Sequence, residues 1–289
     1  THIDDGGRAF TIDGPARRIV SLAPSLTELV YAVGAGDALV GVDRASNHPP
    51  AARAVQRVGD HARVDIERIV ALRPDLVLAW RHGNPSRELA QLEALGLPLF
   101  HLEPRRLDEV PRAMERLGAL VGREEAGRQA AQRLRDELAA LRARHAGAAP
   151  VDVFYQVWRE PLLTLNRDHL VSDVITLCGG RNLFAALPQL VPQLSVESVV
   201  AARPELILAT RPQAEDGEGA RRKPAAADFA VWQRFRSVPA VAHGWMYKLP
   251  GDTISRQGPR IVQGARNVCA ALQAVRDERD AEGKSGSKR

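Results

Sequence analysis

Two segments of the chain share one pattern of polar and apolar positions. Residues 65–80 and 195–210 align without a gap, and 8 of the 16 positions are identical. Each segment opens on a good N-cap residue, Asp65 or Ser195. The Arg-Pro that follows ends the helix, because proline pushes the preceding residue out of the α region. The apolar run after it is typical of a strand buried on both faces. Each copy therefore predicts a helix, a turn and a buried strand.

The rest of the chain also alternates between short apolar runs and amphipathic segments. Strands are predicted at 18–22, 39–42 and 97–102 and from Val151, and helices at 25–33, 107–121 and 124–145. The last of these helices has one apolar stripe, with Arg and Glu on its other faces, and would be about 33 Å long. We therefore predict an α/β fold with two Rossmann-like lobes, each with a mostly parallel sheet, joined by a single long helix.

The two copies predict the number of lobes, and the Gly147-Ala148-Ala149-Pro150 segment before the strand at Val151 places the boundary. A pattern repeated only twice predicts two lobes of similar build rather than a solenoid. We expect an N-terminal lobe at 1–122, a connecting helix at 123–147 and a C-terminal lobe at 148–276. The polar, Gly- and Ser-bearing end, 277–289, is expected to be a disordered tail.

Composition limits the kinds of partner. The 289 residues are 45% hydrophobic and 26% charged, which is enough apolar material for packed cores. The net charge is +5, but the arginines alternate with acidic residues and aromatics make up only 4% of the chain. A nucleic-acid binder would more often carry a basic stripe interleaved with aromatics. No apolar run approaches the roughly 20 residues that span a bilayer. The first residue is Thr, as expected if a targeting segment or a tag has been removed.

The two cysteines and the absence of catalytic motifs argue against a metal site or an enzyme. Cys178 and Cys269 lack a CxxC spacing or a nearby His partner, so no metal site is predicted. Their spacing leaves open two buried thiols or one disulfide, which would be worth up to roughly 4 to 5 kcal/mol. The chain lacks GxSxG, HExxH and a phosphate-binding loop. We predict no catalytic residue and no catalytic cofactor, and keep an enzyme as a remote alternative.

Several motifs resemble a known family. Residues 18–29, Val40-Gly41-Val42 and 47–50 resemble the helical-backbone (class III) substrate-binding proteins of ABC importers. Residues 67–84 and 178–184 and the final helix are similar to the cobalamin-binding members of that family. The resemblance covers about residues 17 to 275. It implies a monomeric periplasmic protein, its signal peptide removed, that captures cobalamin in a cleft between the lobes. The captured ligand would then be delivered to the membrane subunits of an ABC transporter.

The resemblance also implies roles for two pairs of residues. Cys178 and Cys269 match positions that are bridged in the cobalamin-binding members, so a disulfide is expected. Glu67 and Glu197 match acidic residues, one on each lobe, that dock onto arginines of the membrane subunits. The repeat supports docking independently, since a two-fold transporter needs the same charge on both lobes. The alternative is that both are simply carboxylates that stabilise the start of a helix.

A third set of residues is expected to contact the ligand. Trp80 matches a residue that packs against the corrin ring, and Arg81 follows it in the same segment. Asp252 and Arg256 match a polar pair that contacts the amide groups at the ligand's edge. From the residues alone, Trp80 would equally fill a core, and Asp252 with Arg256 would equally be a surface ion pair of little energy.

The chain departs from the family at positions where the cobalamin-binding members carry aromatics. It has Ala45, His61, Val157 and Val191 there. Trp158 is expected to restore one ring. His48 and His61 bring imidazoles to the expected mouth of the cleft, where each would be either a solvated turn residue or a ligand of cobalt or haem iron.

These departures keep a haem or a ferric siderophore open as alternative ligands. A haem binder would usually supply an axial Tyr or His, and Tyr31, Tyr155 and Tyr247 occur in helix or strand contexts that favour burial. A siderophore binder would gather arginines, for which Arg44, Arg81, Arg159 and Arg256 are candidates.

Overall fold

The computed structural model of the chain describes residues 2–211, 220–223 and 226–286. The described residues divide into two compact units. Lobe 1 comprises Thr1–Asp136 with Gln257–Pro259, and lobe 2 comprises Glu137–Arg256 with Arg260–Arg289. The described residues contain no helix that is both long and apolar enough to cross a membrane.

Lobe 1 is a parallel α/β unit. Its strands are β1 (His2–Ile3), β2 (Ala9–Phe10), β3 (Ile19–Ser21), β4 (Leu39–Val42), β5 (Leu76–Ala79) and β6 (Leu99–His101). Its helices are α1 (Pro24–Ala32), α2 (Ile66–Leu72), α3 (Ser86–Ala94) and α4 (Glu109–Leu120). Four strands form one sheet in the order β4-β3-β5-β6, every pair of it parallel, and β1 and β2 form a separate antiparallel pair.

A helix of 21 residues, α5 (Glu124–Arg144), runs from lobe 1 into lobe 2. The division between the units falls inside it, after Asp136. Arg135 pairs with Glu115 of α4 through two hydrogen bonds of 2.6 and 2.9 Å. Arg266 donates to Glu137 at 2.6 Å. Each half of α5 is therefore tied to its own lobe, and the predicted boundaries at 122/123 and 147/148 remain a proposal.

Lobe 2 repeats the plan of lobe 1 with one antiparallel edge. Its strands are β7 (Val151–Gln156), β8 (Gly180–Asn182), β9 (Leu206–Arg211), β10 (Arg221–Arg222) and β11 (Met246–Pro250). Its helices are α6 (Leu170–Leu177), α7 (Val196–Ala202), α8 (Pro239–Ala242), α9 (Gly251–Ile254) and α10 (Ile261–Gly286). The sheet order is β10-β11-β9-β7-β8, and only the β10–β11 pair is antiparallel. The predicted fold class, two mostly parallel α/β lobes joined by one long helix, is confirmed.

The sequence repeat is also a structural repeat. Asp65 and Ser195 cap α2 and α7 by accepting the backbone N–H three residues later, at 3.0 and 3.1 Å. Both helices end on an arginine in the left-handed region, Arg73 with φ 45° and Arg203 with φ 51°. The following proline prevents the helix from continuing, and the chain turns into β5 or β9.

The acidic residue after each proline joins the repeat to the neighbouring strand. Asp75 accepts the backbone N–H groups of Arg17 and Arg18 at 2.8 and 2.9 Å. Glu205 accepts the N–H of Asp152 at 2.9 Å. These N–H groups lie at the start of a strand, where they lack a hydrogen-bond partner in the sheet. One carboxylate in each lobe therefore accepts the free N–H groups of the neighbouring strand.

Both cores lie where the sequence pattern predicts them. Lobe 1 packs α2 and α3 against its sheet, with Val20, Ile69, Val77 and Leu92 fully buried. In lobe 2, Trp232 and Phe154 pack edge to face at 5.6 Å. Burying an apolar side chain of this size contributes roughly 1.5 to 3 kcal/mol, so these clusters dominate the stability of each lobe.

A buried histidine begins one helix of lobe 2. The Nδ1 atom of His169 accepts the N–H of Val171 at 3.1 Å and so caps α6. Burial lowers the pKa of His169 to about 4. The imidazole is therefore neutral at pH 7 and keeps the acceptor that the cap requires.

The end of the chain differs from the prediction. Residues 277–289 were expected to form a disordered tail, but α10 continues through most of them. Glu278 accepts the indole N–H of Trp245 at 2.7 Å, and Arg279 donates to Glu205 at 3.0 Å. The predicted tail is wrong for this part, because hydrogen bonds and ion pairs to lobe 2 hold a polar helix that composition alone does not favour. The last three residues lie outside the described part of the chain.

The disulfide expected from the family resemblance is present. Cys178, at the end of α6, is bonded to Cys269 in α10, and both sulfurs belong to buried residues. The bond joins positions 91 residues apart within lobe 2. The prediction of a Cys178–Cys269 disulfide is confirmed.

Candidate functional site

The carboxyl ends of the parallel strands carry most of the predicted ligand contacts. In open α/β sheets, ligands bind in the crevice outside these ends. Trp80 and Arg81 directly follow β5, Trp158 lies two residues after β7, and Asp252 is in the first turn of α9, which begins where β11 ends. Each lobe has a cavity at this edge of its sheet.

A short turn fixes the position of Trp80 in lobe 1. Its backbone N–H donates to Asn84 Oδ1 at 2.7 Å, and Asn84 Nδ2 donates in turn to the carbonyl of Leu22 at 2.7 Å. Gly83 lies directly against the indole, because a Cβ placed on Gly83 would be 2.0 Å from Trp80 Cε3. The ring is therefore half-buried, with one part packed on backbone where only glycine fits.

A buried carboxylate organises the polar edge of this ring. Glu103, only 8% exposed, follows β6 and accepts the Nε1–H of Trp80 at 3.3 Å. His82 Nδ1 donates to the other oxygen of Glu103 at 2.7 Å. Arg105 lies against the same imidazole, with Nη2 2.8 Å from Nδ1, and its Nε is 3.7 Å from Glu103. Glu103 thus orients an indole and an imidazole together.

The cavity beside this cluster has a volume of about 680 Å³ and is lined by charged side chains. The lining residues are Asp5, Arg81, His82, Glu103, Arg105, Glu109, Arg112 and Arg116. Four arginines and one histidine face three carboxylates, so the lining carries a small net positive charge. This balance suits a ligand with an anionic substituent better than a cation.

The cavity of lobe 2 is of similar size, about 650 Å³, and is less uniformly charged. It is lined by Gln156, Val157, Trp158, Arg159, Glu160, Ala209, Thr210, Arg211, Asp228, Gly251 and Asp252. Its walls come from the ends of β7, β9 and β11, three parallel strands. The structure therefore brings Trp158 and Asp252 together, as the residues expected to contact the ligand.

Hydrogen bonds fix one wall of the lobe 2 cavity. Gln156 accepts the indole N–H of Trp232 at 2.8 Å and donates to the carbonyl of Asp228 at 3.0 Å. The carboxylate of Asp228 pairs with the buried Lys248 at 2.7 Å. Because these polar groups satisfy one another, they hold this wall of the cavity in one arrangement.

Trp158 is the most exposed large apolar side chain at this edge, with 62% of its surface accessible. Its Nε1–H donates to the carbonyl of Glu160 at 3.0 Å, which holds the indole by its edge. Leu190 and Val191 are also exposed. An indole anchored in this way leaves a flat apolar face accessible at the cavity.

The predicted polar pair is an ion pair in the structure. Arg256 Nη2 lies 3.1 Å from Asp252 Oδ2, and both side chains are largely buried. Arg260 Nη2 approaches the same oxygen to 4.0 Å. The surface-pair interpretation assumed full exposure, which these two side chains do not have. Asp252 lines the cavity, whereas Arg256, its ion-pair partner, does not.

The two histidines singled out in the sequence lie away from these cavities. His61 is exposed in a turn, beside Asp60, whose carboxylate accepts the N–H groups of Ala62 and Arg63 at 3.0 and 3.1 Å. Those bonds, the one to Ala62 first, lower the pKa of Asp60. His48 is half-buried before a short 3-10 turn. Among the described residues, neither lines the cavity of its lobe.

Glu67 and Glu197 occupy equivalent places on the two lobes. Each lies in the first turn of its helix, α2 or α7, and each side chain is exposed. Neither carboxylate forms a hydrogen bond or an ion pair with any residue that the structure describes. Both charges are therefore available to a partner, although they also complement the helix dipole.

Sequence reasoning missed Glu103, His82 and Arg105. Nothing in the local pattern marks them, since each is a polar residue in a loop. The position of each loop was nevertheless predictable, because Trp80 to His82 and Glu103 to Arg105 follow neighbouring strands. The rule that ligands bind at strand carboxyl ends would have brought these residues together.

The chain is similar to known proteins in sequence and in structure. Residues 19–253 match the family described as periplasmic binding protein. The vitamin B12-binding protein of Vibrio cholerae is 36% identical over 265 residues, covering 91% of this chain and 92% of that protein. The crystal structure of the periplasmic vitamin B12-binding protein of Vibrio cholerae superposes with a TM-score of 0.80, at 36% identity, and covers 91% of this chain and 98% of that one.

Haem-binding proteins share the architecture at lower identity. The periplasmic heme-binding protein from Roseiflexus, in its apo form, matches with a TM-score of 0.76 at 26% identity, covering 91% of this chain and 99% of that one. The family match spans most of the chain and includes both lobes. With two α/β lobes, one long helix between them and a cavity at each sheet edge, the chain belongs to the periplasmic binding protein family.

Proposed function

We propose that this chain is the substrate-binding component of an ABC importer and that its ligand is cobalamin or a related corrinoid. The observation that carries the proposal is the 36% identity to the vitamin B12-binding protein of Vibrio cholerae over nine-tenths of both chains. Membership of the family also supports a periplasmic location. In this proposal the chain acts as a monomer and catalyses no reaction.

The site geometry supports a large, flat ligand. Trp158 lines the cavity of about 650 Å³ in lobe 2. The indole of Trp80 is hydrogen-bonded to Glu103, which lines the cavity of about 680 Å³ in lobe 1. Asp252 supplies a carboxylate that accepts hydrogen bonds from amide groups, and Arg256 holds it in place. Cobalamin combines an apolar macrocycle with a rim of amides, so broad apolar contact with a few polar groups is the chemistry that it requires. Binding of the ligand in a cleft between the lobes remains a prediction.

Haem is the second candidate, and two of the three tyrosines argue against it. Tyr155 is 2% exposed and Tyr247 is 7% exposed, and burial raises the pKa of both phenols. A buried phenol cannot reach an iron atom in a cavity. The 26% identity to the Roseiflexus protein keeps haem as the ligand to compare with cobalamin.

A titration with two ligands tests the proposed function. Purified, oxidised protein should bind cyanocobalamin in a one-to-one complex by calorimetry, while hemin added at the same concentration should leave its Soret band unchanged. The reverse result, no heat with cyanocobalamin and a shifted Soret band with hemin, would move the ligand to haem. A ferric siderophore serves as the third ligand, since Arg159 lines the lobe 2 cavity.

Replacing Gly83 by Ala should weaken cobalamin binding about tenfold, the equivalent of 1.4 kcal/mol. The added methyl group would lie within 2.3 Å of three ring atoms of Trp80, so the indole must shift. The backbone φ of Gly83 is not positive, so alanine is otherwise tolerated. Calorimetric affinity, with the thermal midpoint measured in parallel, checks the prediction.

The matched control is Gly283→Ala. This glycine lies in α10, and a Cβ there meets nothing within 4 Å. We expect Gly283→Ala to bind cobalamin like the wild type. If Gly83→Ala binds with unchanged affinity although its fluorescence spectrum shows that the indole has moved, Trp80 does not contact the ligand.

A further inference from the structure

The carboxylates that line the lobe 1 cavity are all engaged. Asp5 pairs with Arg116 at 2.6 Å. Glu103 accepts a hydrogen bond from His82 at 2.7 Å. Glu109 accepts the backbone N–H of Arg105 at 2.7 Å. Each carboxylate of the cavity thus has a hydrogen-bond or ion-pair partner within lobe 1.

The arginines are not all engaged in the same way. Arg116 and Arg105 are close to carboxylates of the cavity, and Arg112 pairs with Asp108 at 2.6 Å. Arg81 differs, because its guanidinium forms no hydrogen bond or ion pair with any residue in the described part of the chain. Its Nη1 lies 3.6 Å from where a Cβ on Gly6 would be, so the side chain lies close to Gly6, which follows Asp5 of the cavity lining. The cavity therefore holds one uncompensated cation.

This cation is next to the apolar surface of the site. Trp80 and Arg81 are consecutive residues at the end of β5, and Glu103 holds the indole of Trp80 by its nitrogen. Glu103 lines the same cavity as Arg81. A flat ring that packs on Trp80 would thus have the substituents on its cavity-facing edge within reach of the Arg81 guanidinium.

We propose that Arg81 binds the anionic substituent of the ligand and makes lobe 1 selective for ligands that carry one. The inference rests on the proposed function. In cobalamin the anion is the phosphodiester of the nucleotide loop, since the other groups at the rim are neutral amides. In haem it would be a propionate. A guanidinium pairs well with either oxyanion, through charge-assisted hydrogen bonds with two donors.

The test compares two corrinoids that differ in this group. Dicyanocobinamide keeps the corrin ring but lacks the nucleotide loop and its phosphodiester. Arg81→Gln should bind cyanocobalamin about five- to tenfold more weakly than the wild type, a modest factor because the pair is partly exposed to solvent. Its affinity for dicyanocobinamide should change less than twofold. Raising the salt concentration should narrow the difference between the proteins, since ions screen exposed charges.

The matched control is Arg87→Gln. Arg87 is exposed on α3 of the same lobe, does not line the cavity and forms no ion pair with a described residue. Both affinities should be unchanged in that variant. Equal weakening of both corrinoids by Arg81→Gln, or weakening of neither, would overturn the assignment of Arg81 to the phosphodiester.

Failure of the proposed function gives a different result. In that case the wild-type protein binds neither corrinoid. If it binds hemin instead, the same comparison is made between hemin and its dimethyl ester, which lacks the propionate charges. A loss on Arg81→Gln that is confined to free hemin would support the anion contact. An equal loss with the ester would overturn it.

Discussion

The double variant Glu67→Ala, Glu197→Ala should bind cobalamin with wild-type affinity and yet deliver almost none of it to the importer. Both side chains are exposed in the first turns of equivalent helices and do not line the cavities. Their loss should cost the fold only the helix-dipole contribution, about 0.3 to 1 kcal/mol each. Truncating one partner of a buried interfacial charge pair costs about 2 to 5 kcal/mol. Losing two such pairs should reduce uptake at least about a hundredfold.

Uptake of labelled cobalamin by cells that depend on this protein measures the effect, with calorimetry on the purified variant. The matched control removes two other first-turn carboxylates, Glu88→Ala and Glu124→Ala, on α3 and α5. We expect that control to support normal uptake. Normal uptake by the Glu67, Glu197 variant would rule out docking through these residues. A loss of cobalamin affinity would instead place them in the ligand site.

Removing the disulfide should lower the free energy of unfolding by about 3 to 5 kcal/mol. The bond closes a loop between positions 91 residues apart, so it removes many conformations from the unfolded chain. Cys178 is fully buried and Cys269 is 3% exposed. Alanine is therefore the replacement of choice, since it introduces no polar atom into the core. The double variant Cys178→Ala, Cys269→Ala should fold but unfold at clearly lower urea concentration.

Urea denaturation followed by tryptophan fluorescence measures this loss, because Trp158, Trp232 and Trp245 all belong to lobe 2. Wild-type protein treated with a reductant should approach the variant, whereas the variant itself should not respond to the reductant. A stability difference below about 1 kcal/mol would mean that the α6–α10 packing holds lobe 2 without the bond.

Secondary structure was largely readable because the signals are local. The repeat marked α2 with β5 and α7 with β9 through a cap, a proline and an apolar run, and each of these acts within a few residues. The helix at 124–145 was predicted to within one residue at its end. The end of α10 was not predicted, because its polar residues are held by Trp245 and Glu205, which are distant in sequence.

The site was predictable only in part. Trp80, Trp158 and Asp252 follow strands. Trp158 and Asp252 line the lobe 2 cavity, and Trp80 is hydrogen-bonded to Glu103 of the lobe 1 cavity. His48 and His61 were chosen because histidine is able to bind metals, a property of the side chain that says nothing about where the loop carries it. Glu103 was missed because its role exists only once two neighbouring loops are brought together.

The sequence by itself determined two α/β lobes of similar build, the long helix between them and, through family resemblance, the Cys178–Cys269 bond. The lobes and the helix depend on periodicity and capping residues within short stretches of chain, and the bond was expected because the two cysteines match the family. Only the tertiary structure decided that Glu103 holds both Trp80 and His82, and that Arg81 is the arginine of its cavity left without a partner among the described residues. The hydrogen bonds and the charge balance of a site depend on residues far apart in sequence. They are therefore defined only when the fold brings those residues together.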